Sequence, residues 1–354
     1  MASPSVDVII PVHTDRRPIA RAVSSVLDSA TASVRVNVVC HNTPEASIAA
    51  ALGPWVRDDR VRLLHHEDGI ASPAGPINAG YRAATGEFTC LLDSDDEYEA
   101  HAIDSWLTVQ RRANADVVIA PLRHANGRSP RTPPTRPGRS HFLDGVRDRL
   151  AYRTRQHGLV RREAFPALSM TPGLRTGEDV IQGLAIWYSG ARISFARRGP
   201  AYIIHSDSDE RASVTSKPAS ESLAFVDAIL KDPLFEALTT TQRESLAVKF
   251  LRTHVMEILA GALHAGTYAE DREAIADAVA RLFNASPNAS KILSRRESHI
   301  LRGVGKGVDS AVLQTEIGVV TDFRRPASVL PASLSKVLHR EAMPRFLVAT
   351  AFTR

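Results

Sequence analysis

Three aspartates fall within four positions, Asp93, Asp95 and Asp96, in the stretch LLDSDDEYE that runs from residue 91 to residue 99. Carboxylates this close repel one another, so the stretch calls for a positive partner. Mg²⁺ or Mn²⁺, held by one or two carboxylates together with the phosphates of a substrate, is one answer. An acidic turn capping a helix that starts at about His101 is the other. A second pair, Glu178 and Asp179, follows Gly177 and opens a run in which Val180, Ile181, Leu184, Ile186 and Trp187 recur at helical spacing. The positive end of that helix is enough to explain two carboxylates. The same position suits a proton acceptor beside a bound substrate. His205 ends a strand-like run, AYIIH, and reads as structural by itself, or as a third metal ligand once the acidic cluster binds a cation.

The elements that carry these residues alternate between strand and helix. Val6 to Val12 is a β-rich run, Pro18 to Leu27 has helical spacing, and Val34 to Cys40 is a second strand. A helix over 44–56, a strand over 60–64, a helix over 77–84 ending at Gly86 and a strand over 87–92 come next. Strand, helix, strand in this rhythm predicts a mostly parallel α/β sheet whose ligands sit beyond the carboxyl ends of the strands. His13, Thr14 and Asp15, then His41 and Asn42, fall at that edge, and the strand over 87–92 delivers the acidic cluster to it. Further strands are expected over 116–121, 191–196 and 201–205. Residues 123–139 are rich in arginine and proline and read as a mobile surface loop or as a basic lip touching an anionic acceptor.

Beyond about Ser220 strand-like alternation gives way to helical periodicity, so residues 1–218 are expected to form the α/β part and 219–354 a mainly helical one. A helix over 242–264 would place Leu251, Val255, Ile258, Leu259 and Ala262 on one face, with Lys249, Arg252 and His254 pointing elsewhere. The run RGVGKG at 302–307 lacks the preceding strand and the following hydroxyl residue of a phosphate loop.

Lysine and arginine number 44 against 39 acidic residues, a formal charge of +5. Such an excess suits a polyanionic partner, whether nucleic acid, a membrane surface or a phosphate-bearing substrate. Cys40 and Cys90 each lie in an apolar run and read as core residues, which argues against a disulfide framework or a zinc–cysteine site. Neither a signal peptide nor a run of about 18 apolar residues is apparent, so a cytoplasmic protein is expected. The basic stretch 337–354 reads as a packed terminal helix or as a peripheral contact with the inner face of a membrane.

Taken together, VIIPVH at the first strand, NAGYRAATGEF leading into LLDSDD, the GED of 177–179 and IIHSDSDERASVT resemble the family 2 glycosyltransferases over residues 5–215. The resemblance implies the GT-A (nucleotide-diphospho-sugar transferase) fold, a mostly parallel sheet flanked by helices. It implies that Pro11, His13, His41, Asn42, Asn78, Asp93, Ser94 and Asp95 hold a nucleotide-sugar, a UDP-sugar first. Mn²⁺ or Mg²⁺ would sit on Asp95, Asp96 and His205, and Asp179, supported by Glu178, would be the base of an inverting transfer. Through SVTSKP and the helix containing Lys249, the chain also looks like the enzymes that decorate wall teichoic acid, a poly(polyol phosphate), with N-acetylglucosamine. That likeness nominates Arg211, Ser213, Lys249 and Arg252 for an anionic polymer or glycan acceptor. It also implies a dimer or trimer built on the C-terminal helices, and no nucleic-acid partner.

Two positions depart from the family pattern. Cys40, His41 and Asn42 stand where many members carry an aspartate pair that reads uracil, and Ile77-Asn78 replaces an Arg-Asn. A capsule or exopolysaccharide transferase acting on a lipid-linked acceptor is the nearest alternative. A pyrophosphorylase would want a glycine-rich, arginine-bearing loop after the first strand, which PVHTDRRP is not. A non-catalytic module binding anionic polymer would have no use for two carboxylate pairs.

Overall fold

The computed structural model describes residues 5–130, 132, 135–153, 155–207 and 217–351. Its amino-terminal part builds β1 (Val6–Val12), α1 (Ile19–Leu27), β2 (Val34–His41), α2 (Glu45–Leu52), β3 (Val61–His66), α3 (Ala74–Ala83) and β4 (Phe88–Leu91). The chain continues through β5 (Glu97–Tyr98), α4 (Ala102–Ala113), β6 (Val117–Ile119), β7 (Leu122–His124), β8 (Gly158–Arg161), α5 (Val180–Trp187), β9 (Ile193–Phe195) and β10 (Tyr202–Ile204). Seven strands form one sheet in the order β3-β2-β1-β4-β8-β6-β9, parallel throughout except for β8, which runs against both of its neighbours. A small sheet, β5-β10-β7, stands beside it.

Helices cover both faces, which is why β1 and β2 are almost wholly buried and read as continuous apolar runs rather than alternating ones. Val8, Ile10, Val36 and Val38 pack with Ile19, Val23, Val26, Ile48 and Trp106 on one side. Ile9, Val39 and Leu91 meet Ile77 and Met170 on the other. One charge lies inside this frame. Asp7, fully buried, accepts from Arg35 Nε (2.7 Å), Asn37 Nδ2 (2.8 Å) and the backbone N–H groups of Thr85 (2.7 Å) and Gly86 (2.6 Å). Burial pushes its carboxyl up, and these donors more than reverse the effect.

Several boundaries move from their expected places. Helix α2 stops at Leu52 and gives way to a 3₁₀ turn, Gly53–Arg57, and α3 begins three residues early, at Ala74. The strand expected over 201–205 joins the small sheet rather than the large one, and β5, β7 and β8 had no expectation at all. Part of the basic loop is anchored: Arg136 pairs with the buried Asp148 (2.6 Å), and buried Thr135 accepts from Arg197.

In the helical part, Thr240–Lys249 and Met256–Ala265 are joined by a π-helical segment, Phe250–Val255. A π turn takes in an extra residue and shifts the phase of the helix beyond it. Lys249, expected to point away from the core, is 3 % exposed. The RGVGKG run starts inside the helix Arg295–Gly305, where it makes no phosphate loop. One apolar core crosses residue 218, joining Ala151, Val180 and Leu184 to Phe225, Leu246, Phe250 and Leu251. Among the described residues no helix is long and apolar enough to cross a membrane.

Candidate active site

Leu92 donates its N–H to Ile9 O (3.0 Å), and from Asp93 onward the chain leaves the sheet between β1 and the small sheet. Tyr202 of β10 fixes the acidic loop. Its hydroxyl donates to Asp96 Oδ2 (2.7 Å) and accepts from the Asp93 N–H (3.1 Å), while the N–H of His205 donates to Asp96 Oδ1 (2.8 Å). Burial, and then the charges of Asp93 and Asp95, push the Asp96 carboxyl up to about 6. The Asp95 carboxylate pairs with Arg17, its carbonyl accepts from Arg21 of α1, and Ser94 is buried between the two acids. The expected ligands Asp95, Asp96 and His205 do not bring three ligand atoms within 4.8 Å of one another, and Arg17 and Arg155 supply positive charge to Asp95 and Asp93. His205 turns Nε2 to Glu97 (3.1 Å).

The second acidic pair opens α5, where Asp179 is the N-cap and its backbone carbonyl accepts from the Gly183 N–H (2.8 Å), the carboxylate making no cap bond. Burial and the neighbouring Asp179 raise the Glu178 carboxyl above its ordinary range. Arg155 joins the two acidic groups: Nη1 lies 2.6 Å from Asp93 Oδ1, and Nη2 lies 3.5 Å from Glu178 Oε1. Asp93 above all holds the guanidinium firmly protonated. In return Arg155, with His157 and Tyr202, reverses the upward push of burial on Asp93. Arg155 therefore sets the distance between the acidic loop and the proposed base.

Gly177 lets the chain enter α5. Its φ is +77°, and a Cβ there would stand 2.7 Å from Phe225 Cβ. Gly177→Ala is expected to lower stability by about 3 kcal/mol, combining left-handed strain with overpacking, and to reduce turnover because Glu178 and Asp179 move with the strained turn. Urea unfolding of the variant measures the first effect.

Lys249 reaches this region from the helical part. Burial draws its amine down to about 7, against the pull of Asp179. Nζ lies 2.6 Å from His254 Nε2, and burial followed by Lys249 lowers that imidazole to about 3. Arg252 does not share the setting: it bonds Glu297 through Nε (2.7 Å) and Nη2 (3.1 Å) and the Glu341 carbonyl (3.0 Å), a buried structural pair rather than a cation open to an acceptor. Arg211 and Ser213 lie outside the described residues.

The nucleoside-facing candidates gather at the carboxyl ends of β1, β2 and β3. Pro11 lies within β1 and pairs in register with Val39; His13 is exposed just beyond the strand. His41, 5 % exposed, directs Nε2 to Asp68 Oδ1 (2.9 Å), and Asn42 accepts from the backbone N–H groups of Asp68 and Gly69 (3.0 Å each). Asn78 binds Met170 at both ends, accepting from its N–H (2.8 Å) and donating to its carbonyl (2.9 Å), so its amide braces the loop that leads to Gly177. Sequence reasoning missed Arg17, Arg21, His66, Asp68 and Arg155. Asp68 sits in the stretch HHEDG between the strand expected over 60–64 and the helix expected over 77–84, a usable signal; Arg155 has none, because its partners are far away in the chain.

Residues 7–169 match the family described as Glycosyl transferase family 2. Among curated proteins the chain is similar to the uncharacterized glycosyltransferase EpsJ of Bacillus subtilis (strain 168), 25% identical over 230 residues, or 62% of this chain and 66% of EpsJ. It is also similar to the poly(ribitol-phosphate) beta-glucosyltransferase of Bacillus spizizenii, 18% identical over 256 residues, or 70% of this chain and 40% of that protein. The chain thus spans about two thirds of the first relative and two fifths of the second. Among solved structures it resembles S. aureus TarS 1-349 in complex with UDP-GlcNAc, with a TM-score of 0.73, 16% identity, and coverage of 90% of this chain and 92% of that one. This likeness is one of fold, sheet and helical region together.

Proposed function

We propose that this chain, whose residues 7–169 form a glycosyl transferase family 2 domain, moves a sugar from a nucleotide diphosphate to a hydroxyl of an anionic cell-envelope glycopolymer, with inversion. The observation that carries this reading is the meeting of two acidic groups across Arg155, Asp93 at 2.6 Å and Glu178 at 3.5 Å. One group suits a leaving diphosphate and the other an entering hydroxyl.

In this reading Asp179 accepts the proton of the acceptor hydroxyl, sharpening a weak nucleophile. Glu178 and Arg155 keep Asp179 at the mouth of α5. A divalent cation on Asp95 and Asp96, with His205 turned from Glu97, would neutralise the departing diphosphate. Asn42, His41 and Asn78 line the nucleoside side. Lys249, 3 % exposed and with its amine drawn down to about 7, stands near Asp179 as a buried neighbour, so the cations that would meet a phosphate-bearing acceptor are sought among the surface arginines behind the formal charge of +5.

UDP-GlcNAc bound to TarS, and the polyol-phosphate substrate named for the Bacillus spizizenii relative, support UDP-GlcNAc and a poly(polyol phosphate) as the first donor and acceptor to test. A ligand that binds only the native state raises its stability with concentration over Kd. UDP-sugars with Mn²⁺ are expected to raise Tm, EDTA to cancel that gain and stop turnover, and Mn²⁺ or Mg²⁺ to restore both. A flat response to every nucleotide-sugar, or full turnover in EDTA, would overturn the proposal.

A further inference from the structure

His41 closes β2, His66 closes β3, and the two are register partners across this parallel pair. Neighbouring strands lie about 4.8 Å apart, and partners in register emerge on the same face. The topology therefore delivers two imidazoles side by side, with ring centroids 5.7 Å apart. Both rings aim Nε2 at one carboxylate: His41 lies 2.9 Å from Asp68 Oδ1, and His66 lies 3.2 Å from Asp68 Oδ2. The three donor groups offer ligand atoms that all lie within 4.8 Å of one another, the one such cluster among the described residues. In a tetrahedral zinc site with bonds of about 2.0–2.1 Å, adjacent ligand atoms are roughly 3.3 Å apart. The two histidine–aspartate separations, each to a different oxygen of Asp68, lie close to that spacing, so a small rotation of the carboxylate would bring one oxygen to the metal.

We propose that His41, His66 and Asp68 form a transition-metal site that takes Zn²⁺ or a like divalent ion. Two imidazoles and a carboxylate select Zn²⁺, Co²⁺ or Ni²⁺ over Mg²⁺, the reverse of what the all-oxygen set of Asp93, Asp95 and Asp96 prefers. The donors are held in advance. Asn42, in the left-handed region at φ 52°, accepts from the Asp68 and Gly69 N–H groups, and the Ile70 N–H donates to Asp68 Oδ1 (2.9 Å). Gly75, at the start of α3, keeps the space open, since a Cβ there would press on Asp68 Oδ2 and stand 2.6 Å from His66 Nε2. His41 forms the buried wall, while His66 and Asp68 are reached by solvent. Three protein ligands and one accessible position leave room for water or a substrate atom as the fourth. The site rests on the pairing of β2 with β3 and stands whether or not the chain transfers sugar.

Co²⁺ titration of the full chain, with excess Mg²⁺ present to occupy the acidic loop, reads the site directly through visible absorption. One Co²⁺ per chain is expected, displaced by Zn²⁺. His66→Gln and Asp68→Asn should each weaken binding by about tenfold or more, and Gly75→Ala should weaken it with every donor retained. His41→Ala tests the buried ligand, with circular dichroism to verify the fold; the partly exposed His66 keeps the test readable if that variant unfolds. His65→Ala, at the neighbouring position whose side chain is 48% exposed, is the control and should bind like the parent. Absorption bands that survive in both His66→Gln and Asp68→Asn, or the absence of Co²⁺ and Zn²⁺ binding, would overturn the assignment.

Discussion

Asp179→Asn is expected to lower transfer by about 10²–10⁴-fold while nucleotide-sugar binding stays as in the parent. The substitution keeps the volume, and the Asp179 side chain makes no cap bond that asparagine would lose, so α5 should start where it does now. What disappears is a group able to take the hydroxyl proton. Glu178 is a poor replacement because it is buried and Arg155 holds it, 3.5 Å away, on the side of Asp93. Single-turnover transfer measured beside donor calorimetry separates the two effects. Parent-like turnover in the variant would move the base elsewhere.

Arg155→Met is expected to lower stability by about 2–3 kcal/mol, because it strips a half-buried ionic group of its shared cation and leaves the buried Glu178 without its charged partner. Asp93 and Glu178 would then face each other with no cation between them, and both carboxyls would move up toward protonation. Arg155→Lys should recover part of the stability and less of the activity, since an ammonium keeps the charge but cannot fork between two acids. Urea unfolding of the three proteins gives the comparison. A loss below about 1 kcal/mol in the methionine variant would mean that Arg155 behaves as a surface ion pair.

The core strands were legible because β1 and β2 are buried on both faces and read as unbroken apolar runs. The acidic loop and the pair at α5 announced themselves through spacing. Other parts left no periodic trace. Strands β5 and β7 are two and three residues long, and β8, four residues, is an antiparallel insertion in a parallel sheet. None is long enough to show alternation. Lys249 was misread for another reason: the expected face of Leu251, Val255, Leu259 and Ala262 is indeed buried, but so is every residue from Glu244 to Lys249, so this end of the helix has no outward face for a lysine to take. Arg252 looked available because its partner, Glu297, stands 45 positions away. Arg155 was invisible for the same reason, its contacts being set by topology rather than by neighbours.

The apolar core that joins Val180 and Leu184 of α5 to Phe225, Leu246 and Phe250 bears on how such proteins can diversify. Phe225 packs on Gly177, two residues ahead of the proposed base, so the helical region supports the turn that aims Asp179. Swapping that region between relatives as a cassette would discard the support for that turn. The helical part is therefore expected to vary through its surface side chains, or to be inherited with α5 and its packing partners as one block.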